Sequence, residues 1–95
     1  MTKADLISAI SSETGTDKVI VRKVIESFTE NVKKSLINNN NVYLRGFGSF
    51  IIVKKAQKTA RDIRKNTKVV IPEHYAPKFK PVKALVDAVK ENVSI

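Results

Sequence analysis

The 95-residue chain contains no cysteine, which excludes disulfides and thiolate metal sites and fits a reducing compartment. No apolar run approaches the roughly 20 residues that a membrane span needs. The apolar residues after Met1-Thr2-Lys3-Ala4-Asp5 are spaced, so the start does not read as a signal peptide. Glycine is scarce, with three in the chain. There is no P-loop, and Gly46-Phe47-Gly48 is not a dinucleotide fingerprint, because no third glycine and no helix follow it. The single histidine, His74, lacks an obvious partner and reads as a surface or packing residue. No carboxylate pair sits in a recognisable motif. These absences argue against an enzyme, and no cofactor or metal is expected. Acid is also scarce: nine acidic residues face eighteen basic ones, for a net charge of +9 and a pI of about 10.0. Such a balance points to nucleic acid or another anionic surface.

The charge is concentrated. Val53 to Pro72 holds seven basic residues, Lys54, Lys55, Lys58, Arg61, Arg64, Lys65 and Lys68, against one acid, Asp62, and so carries +6 of the +9. It has no glycine, too few apolar residues for a core, and a β-prone end at Val69, Val70 and Ile71. The pattern predicts a two-stranded ribbon that reaches from a folded body and lays cations along a polyanion. Ile63 stands alone there as a bulky apolar residue among polar ones. Two strands of about ten residues reach ~33 Å, enough to curl round a duplex.

The remainder reads as helix, helix, three strands interrupted by that excursion, and a last helix. Thr2 is a good N-cap, with Asp5 three residues on. Leu6, Ile7 and Ile10 share a helical face that ends near Gly15. Thr16 is expected to cap the second helix, with Asp17 in its first turn. Val21, Val24, Ile25, Phe28, Val32 and Leu36 then recur at three- and four-residue steps, which makes Phe28 a core residue by expectation. Asn38 to Asn41 can enter αL and turn. Val42 to Leu44 and Ser49 to Val53 read as strands about the Gly46-Phe47-Gly48 hairpin, with Phe47 and Phe50 as core. Glu73 to Pro77 reads as irregular and Lys78 to Lys80 as a short extended piece. Pro81 suits the first turn of a helix whose apolar face is Val82, Leu85, Val86 and Val89. A single domain over residues 1–95, with an arm at about 53–72, buries little by itself. The long apolar helix from Asp17 to Asn38 therefore implies a dimer; whether its two chains are identical is left open.

The opening Lys3-Ala4-Asp5-Leu6-Ile7, Gly15, Gly46-Phe47-Gly48-Ser49-Phe50, Arg61, Ile71-Pro72, Phe79-Lys80-Pro81 and Lys83-Ala84-Leu85 together resemble the HU/IHF family of bacterial DNA-bending proteins, without gaps to about Lys90. The resemblance implies an α+β fold: an intertwined dimer with a helical base, a β-saddle and two long β-ribbon arms that enter the DNA minor groove. It implies an arm surface of Lys54, Lys55, Lys58, Arg61, Arg64, Lys65 and Lys68. It also implies a body surface of Lys3, Arg45, Gly46, Gly48, Ser49, Lys80 and Lys83. Double-stranded DNA, a second subunit, no membrane, and a place in the cytoplasmic nucleoid follow from it. Many members carry Arg-Asn-Pro at the tip, where the proline wedges between base pairs. Here the tip reads Arg61-Asp62-Ile63, and isoleucine is also a known wedge. Asp62 is left to pair with Arg61 or Arg64 or to cap the turn. Val82 stands where many members have glycine, and its side chain obstructs close approach of phosphate at Lys83. Readout in the minor groove distinguishes mainly A·T from G·C, so low sequence specificity is expected. A site-preferring, IHF-like subunit and an RNA-binding structural protein are the alternatives. RNA modules stack bases on exposed aromatics, and only Tyr43 and Tyr75 are expected to be exposed here.

Overall fold

A computed structural model describes every residue except Ile63 and Ile95. The chain divides into two compact units, Met1–Ser35 and Leu36–Ile95. Among the described residues no helix is long and apolar enough to cross a membrane.

In the first unit, α1 spans Lys3–Thr14. It starts at Thr2, whose hydroxyl accepts from the Asp5 amide at 3.2 Å while the Asp5 carboxylate accepts from the Thr2 amide at 2.9 Å. This capping box satisfies two amides that the helix cannot. The Thr2 amide, and then its hydroxyl, hold the Asp5 carboxyl below its ordinary pKa. The cap therefore contributes above the carboxylate range and is lost as pH falls through the depressed value. Gly15 closes the helix in the left-handed region at φ 71, donating to the Ser11 carbonyl at 2.9 Å, a conformation that glycine adopts without penalty.

Helix α2 spans Lys18–Ile37, and its cap corrects the sequence expectation by one residue. Asp17, not Thr16, is the cap: its Oδ1 accepts from the Val19 amide at 2.8 Å and its carbonyl accepts from Val21 at 3.0 Å. Thr16 is engaged elsewhere, accepting from Ser11 Oγ at 2.6 Å and donating to Thr14 Oγ1 at 3.2 Å. Among the described residues the buried apolar side chains are Ile7 on α1 and Val21 on α2. Phe28 was expected in the core but is 44% exposed, and Val24 on the same stripe is 62% exposed. The stripe is apolar as expected, but one chain does not cover it.

The second unit holds β1 (Val42–Leu44), β2 (Gly48–Lys55), β3 (Lys58–Asp62), β4 (Thr67–Ile71), β5 (His74–Pro81) and α3 (Lys83–Asn92). Asn39 enters the left-handed region at φ 63 ahead of β1. The Phe47 amide donates to the Leu44 carbonyl at 3.0 Å with Gly46 at φ 82, the pattern of a type II turn, which favours glycine at its third position. A three-stranded antiparallel sheet runs in the order β1-β2-β5, and β3-β4 form a separate two-stranded ribbon. Asn41 extends the sheet by a side chain, its Oδ1 accepting from the Ile52 amide at 3.0 Å.

Two expectations fail in this unit. His74 to Pro77 is not irregular, since β5 runs unbroken from His74 to Pro81. Pro81 ends that strand instead of opening the helix, which begins one residue after Val82. Both prolines are tolerated because β5 lies at the sheet edge, where a missing N–H removes no ladder bond on the free side.

Phe47, Phe50 and Phe79 form an aromatic cluster, with Phe79 5.1 Å from each of the other two ring centroids; Phe50 and Phe79 are half-buried, and Phe47, expected in the core, is 49% exposed in the single chain. Gly48 lies under it. A Cβ there would sit 2.6 Å from the Phe79 ring and 2.7 Å from the Lys80 carbonyl. Its glycine is thus demanded by packing. Gly48→Ala is expected to destabilise the fold by about 1–3 kcal/mol, the usual range for overpacking. Chemical denaturation of the two proteins measures the difference.

Candidate nucleic-acid interface

Strand pairing decides which cations can act together. Residues directly opposite on antiparallel strands share a face, and alternate residues along a strand point to opposite faces. In β2 and β5 the pairs are Gly48↔Pro81, Phe50↔Phe79, Ile52↔Pro77 and Lys54↔Tyr75 on one face, and Ser49↔Lys80, Ile51↔Lys78, Val53↔Ala76 and Lys55↔His74 on the other. The first is the aromatic face. The second, joined by Tyr43 opposite Ser49, exposes Lys55, His74, Lys78 and Lys80. Lys78 was not among the sequence candidates. The alternation Lys78-Phe79-Lys80 would have exposed it had residues 74–77 been read as strand.

This pairing separates Lys54 from Lys55. Lys54 stands on the aromatic face and pairs with Glu73 at 3.1 Å. Lys3 is likewise matched, by Glu26 at 3.1 Å. Both pairs are exposed, so each holds its lysine only weakly.

The ribbon continues into β3 and β4 without a slip. Lys55 opposes His74 on one side of a break and Lys58 opposes Ile71 on the other, so Ala56-Gln57 and Glu73-Pro72 span it with equal numbers of residues. Pro72 has no N–H to give the ladder, a physical reason for the break. Beyond it, Arg61 faces Lys68 and Thr59 faces Val70 on one side, while Lys58 faces Ile71 and Ala60 faces Val69 on the other. Thr59, Ala60, Arg61, Asn66 and Lys68 line a shallow concavity.

At the tip, Asp62 takes the capping role. Its Oδ1 accepts from the Arg64 amide at 3.0 Å and the Lys65 amide at 3.4 Å. Arg61 Nη2 donates to Asn66 Oδ1 at 2.6 Å, and Asn66 takes the left-handed conformation at φ 50. A carboxylate in this position is satisfied by backbone amides as an Asx turn. Arg64 and Lys65 remain exposed in the turn. Ile63, the expected wedge, lies outside the described residues.

The other body candidates sit around the β1–β2 turn and the start of α3. Arg45 and Gly46 are exposed, and nothing crowds Gly46. Ser49 is half-buried on the lysine face. Lys83 opens α3, whose cap Val82 offers no side-chain acceptor and donates its amide to the Phe47 carbonyl at 3.1 Å.

Comparison with known proteins bears on this arrangement. A family model described as bacterial DNA-binding protein matches residues 1–90. The chain is 36% identical over 91 residues to DNA-binding protein HU of Thermus thermophilus, covering 96% of this chain and 94% of that protein. It is 34% identical over 90 residues to DNA-binding protein HU of Thermotoga maritima, covering 95% and 100%. Among solved structures, an Anabaena HU–DNA cocrystal structure superposes with a TM-score of 0.86 at 26% identity, covering 94% of this chain and 97% of the other.

The turn geometry makes a testable distinction. Asp62→Ala removes the acceptor and is expected to speed amide exchange at Arg64 and Lys65, whereas Asp62→Asn keeps an acceptor oxygen and leaves exchange near the parent rate. NMR-detected hydrogen exchange separates the two.

Proposed function

The chain belongs to the bacterial DNA-binding protein family, and from that premise we propose that it is an architectural protein. It binds double-stranded DNA through β-ribbon arms in the minor groove and bends it with little sequence specificity. One observation carries this reading: a ribbon continuous in register displays Lys55, Lys78 and Lys80 on one sheet face and goes on to Arg61 and Lys68 at its far end. Lysine suits phosphates as a point charge, and arginine suits a narrow minor groove. Lys58, Arg64 and Lys65 add charge along the arm. Arg45, Gly46, Ser49 and Lys83 hold flanking phosphates on the body. Gly48 serves by packing, and Lys3 and Lys54 add further charge, since their exposed ion pairs hold them only weakly. The protein acts by binding, not catalysis, in the nucleoid of the bacterial cytoplasm. Nothing in the relatives favours an RNA target or a site-preferring subunit.

The folded unit is a homodimer, and residues 1–95 work as one domain within it. Leu6, Val24, Phe28 and Phe47 are each at least 44% exposed in the single chain. Ile10, Ile20, Val21, Val24 and Ile25 line an apolar groove. A second copy buries what one chain leaves open. Stability is therefore expected to rise with protein concentration. A melting temperature independent of concentration, together with a monomer mass by ultracentrifugation, contradicts this.

DNA affinity is expected to fall with salt at a log–log slope of about −0.9 per phosphate neutralised. Lys55→Ala/Lys78→Ala/Lys80→Ala is expected to flatten the slope and to weaken binding to all sequences alike. An unchanged slope removes the lysine face from the interface.

Ile63 is the wedge. It is bulky, apolar and placed between Asp62 and Arg64 in a cationic turn sequence, and an inserted apolar side chain unstacks a base step. Ile63→Ala removes no charge. The expected result is a parental salt slope with a smaller bend by energy transfer between labelled DNA ends. Parental bending at saturating protein excludes the wedge role.

A further inference from the structure

We propose that His74 is a DNA phosphate ligand at the root of the arm, and that binding DNA draws a proton onto its imidazole. The inference rests on the reading of the lysine face as a DNA surface. His74 lies directly opposite Lys55 and two strand positions before Ala76, on the same face as Lys78 and Lys80. It is exposed. Its ring is oriented: Nδ1 lies 2.9 Å from the Pro72 carbonyl oxygen. A carbonyl oxygen only accepts, so Nδ1 carries the hydrogen and donates.

That bond sets the chemistry of the other ring nitrogen. In the neutral ring with Nδ1–H engaged, Nε2 is a lone pair, an acceptor that a phosphate oxygen cannot use. Protonation turns Nε2 into a donor without disturbing the bond to Pro72. It also adds a positive charge to the face. A phosphate seated there thus discriminates between the two forms, and binding and protonation favour each other. The charged groups around the ring are Lys55 opposite and Lys78 farther along β5, together with Glu73 beside it. Glu73 forms an exposed ion pair with Lys54 at 3.1 Å. A phosphate seated among these groups favours the charged ring over the neutral one. Histidine is the side chain whose charge ordinarily changes between pH 5 and 8, and this chain has one.

The test is a titration of a labelled linear duplex with the full-length protein at pH 6 and pH 8 and constant salt. Calorimetry in buffers of different ionisation enthalpy then counts protons taken up. The parent is expected to bind roughly three- to tenfold tighter at pH 6 than at pH 8 and to take up protons on binding. His74→Gln, which cannot be charged, is expected to bring that ratio close to one and to abolish the uptake. His74→Lys, charged at both pH values, is expected to bind tighter than His74→Gln at pH 8 with no pH dependence. A parent with no pH dependence overturns the proposal, as does a Gln variant that keeps the parent's ratio and uptake, since the proton then goes elsewhere. Lys78→Ala/Lys80→Ala separates this from the underlying reading. If it weakens binding while His74→Gln keeps the parental ratio, the face stands and the role of His74 falls. If it binds like the parent, the lysine face itself is not the DNA surface.

Discussion

Phe50 faces Phe79 across β2 and β5, and Phe47 closes on the same ring. Offset or tilted ring pairs add about 0.5–1.5 kcal/mol beyond the area they bury. Their larger effect is positional. A slip of one residue in β5 would carry Phe79 to the opposite face and bring Lys78 or Lys80 into its place. Gly48, where no Cβ fits, adds a second lock on the same register. Which cations stand together, from Lys80 out to Arg61 and Lys68, depends on that pairing.

Much of this was legible in the sequence. The Thr2–Asp5 capping box, the helix stop at Gly15, the glycine turn and the charged ribbon all rest on local chemistry, which a sequence displays directly. The errors have physical causes too. Thr16 and Asp17 are both good caps, and the bond that the Val19 amide donates to Asp17 Oδ1 decides between them. The strand at 74–81 carries Pro77 and Pro81, and whether a strand lies at a sheet edge, where proline is tolerated, is a tertiary fact. Phe28 lies on an apolar stripe that a single chain leaves 44% exposed, since periodicity reports which face is apolar and not what lies against it. Face membership was the largest omission. Adjacent lysines at 54 and 55 look equivalent in sequence, and the strand sends one toward Glu73 and the other toward the cationic face.

The acids, though few, are spent at defined places. Asp5 and Asp17 cap helices, and Asp62 caps the tip turn through the Arg64 and Lys65 amides. Glu26 and Glu73 sit against lysines. At the tip, a carboxylate among arginines and lysines would repel a polyanion if it pointed outward. Bound to backbone amides, it shapes the turn while its charge is partly answered locally. The net effect is a cationic ribbon whose one acid between Val53 and Pro72, Asp62, acts on the protein's own backbone.

The break at Ala56-Gln57 and Pro72-Glu73 interrupts the ladder without altering the count of residues on either side. The joint is therefore neutral with respect to parity. Odd and even positions keep their sides across the break. Lengthening the arm is correspondingly restricted. Two residues added to each strand extend it by about 7 Å and return every side chain to its side. A single residue added to each exchanges the two sides of everything beyond it. The arm of such a protein can grow or shrink only in whole pleats.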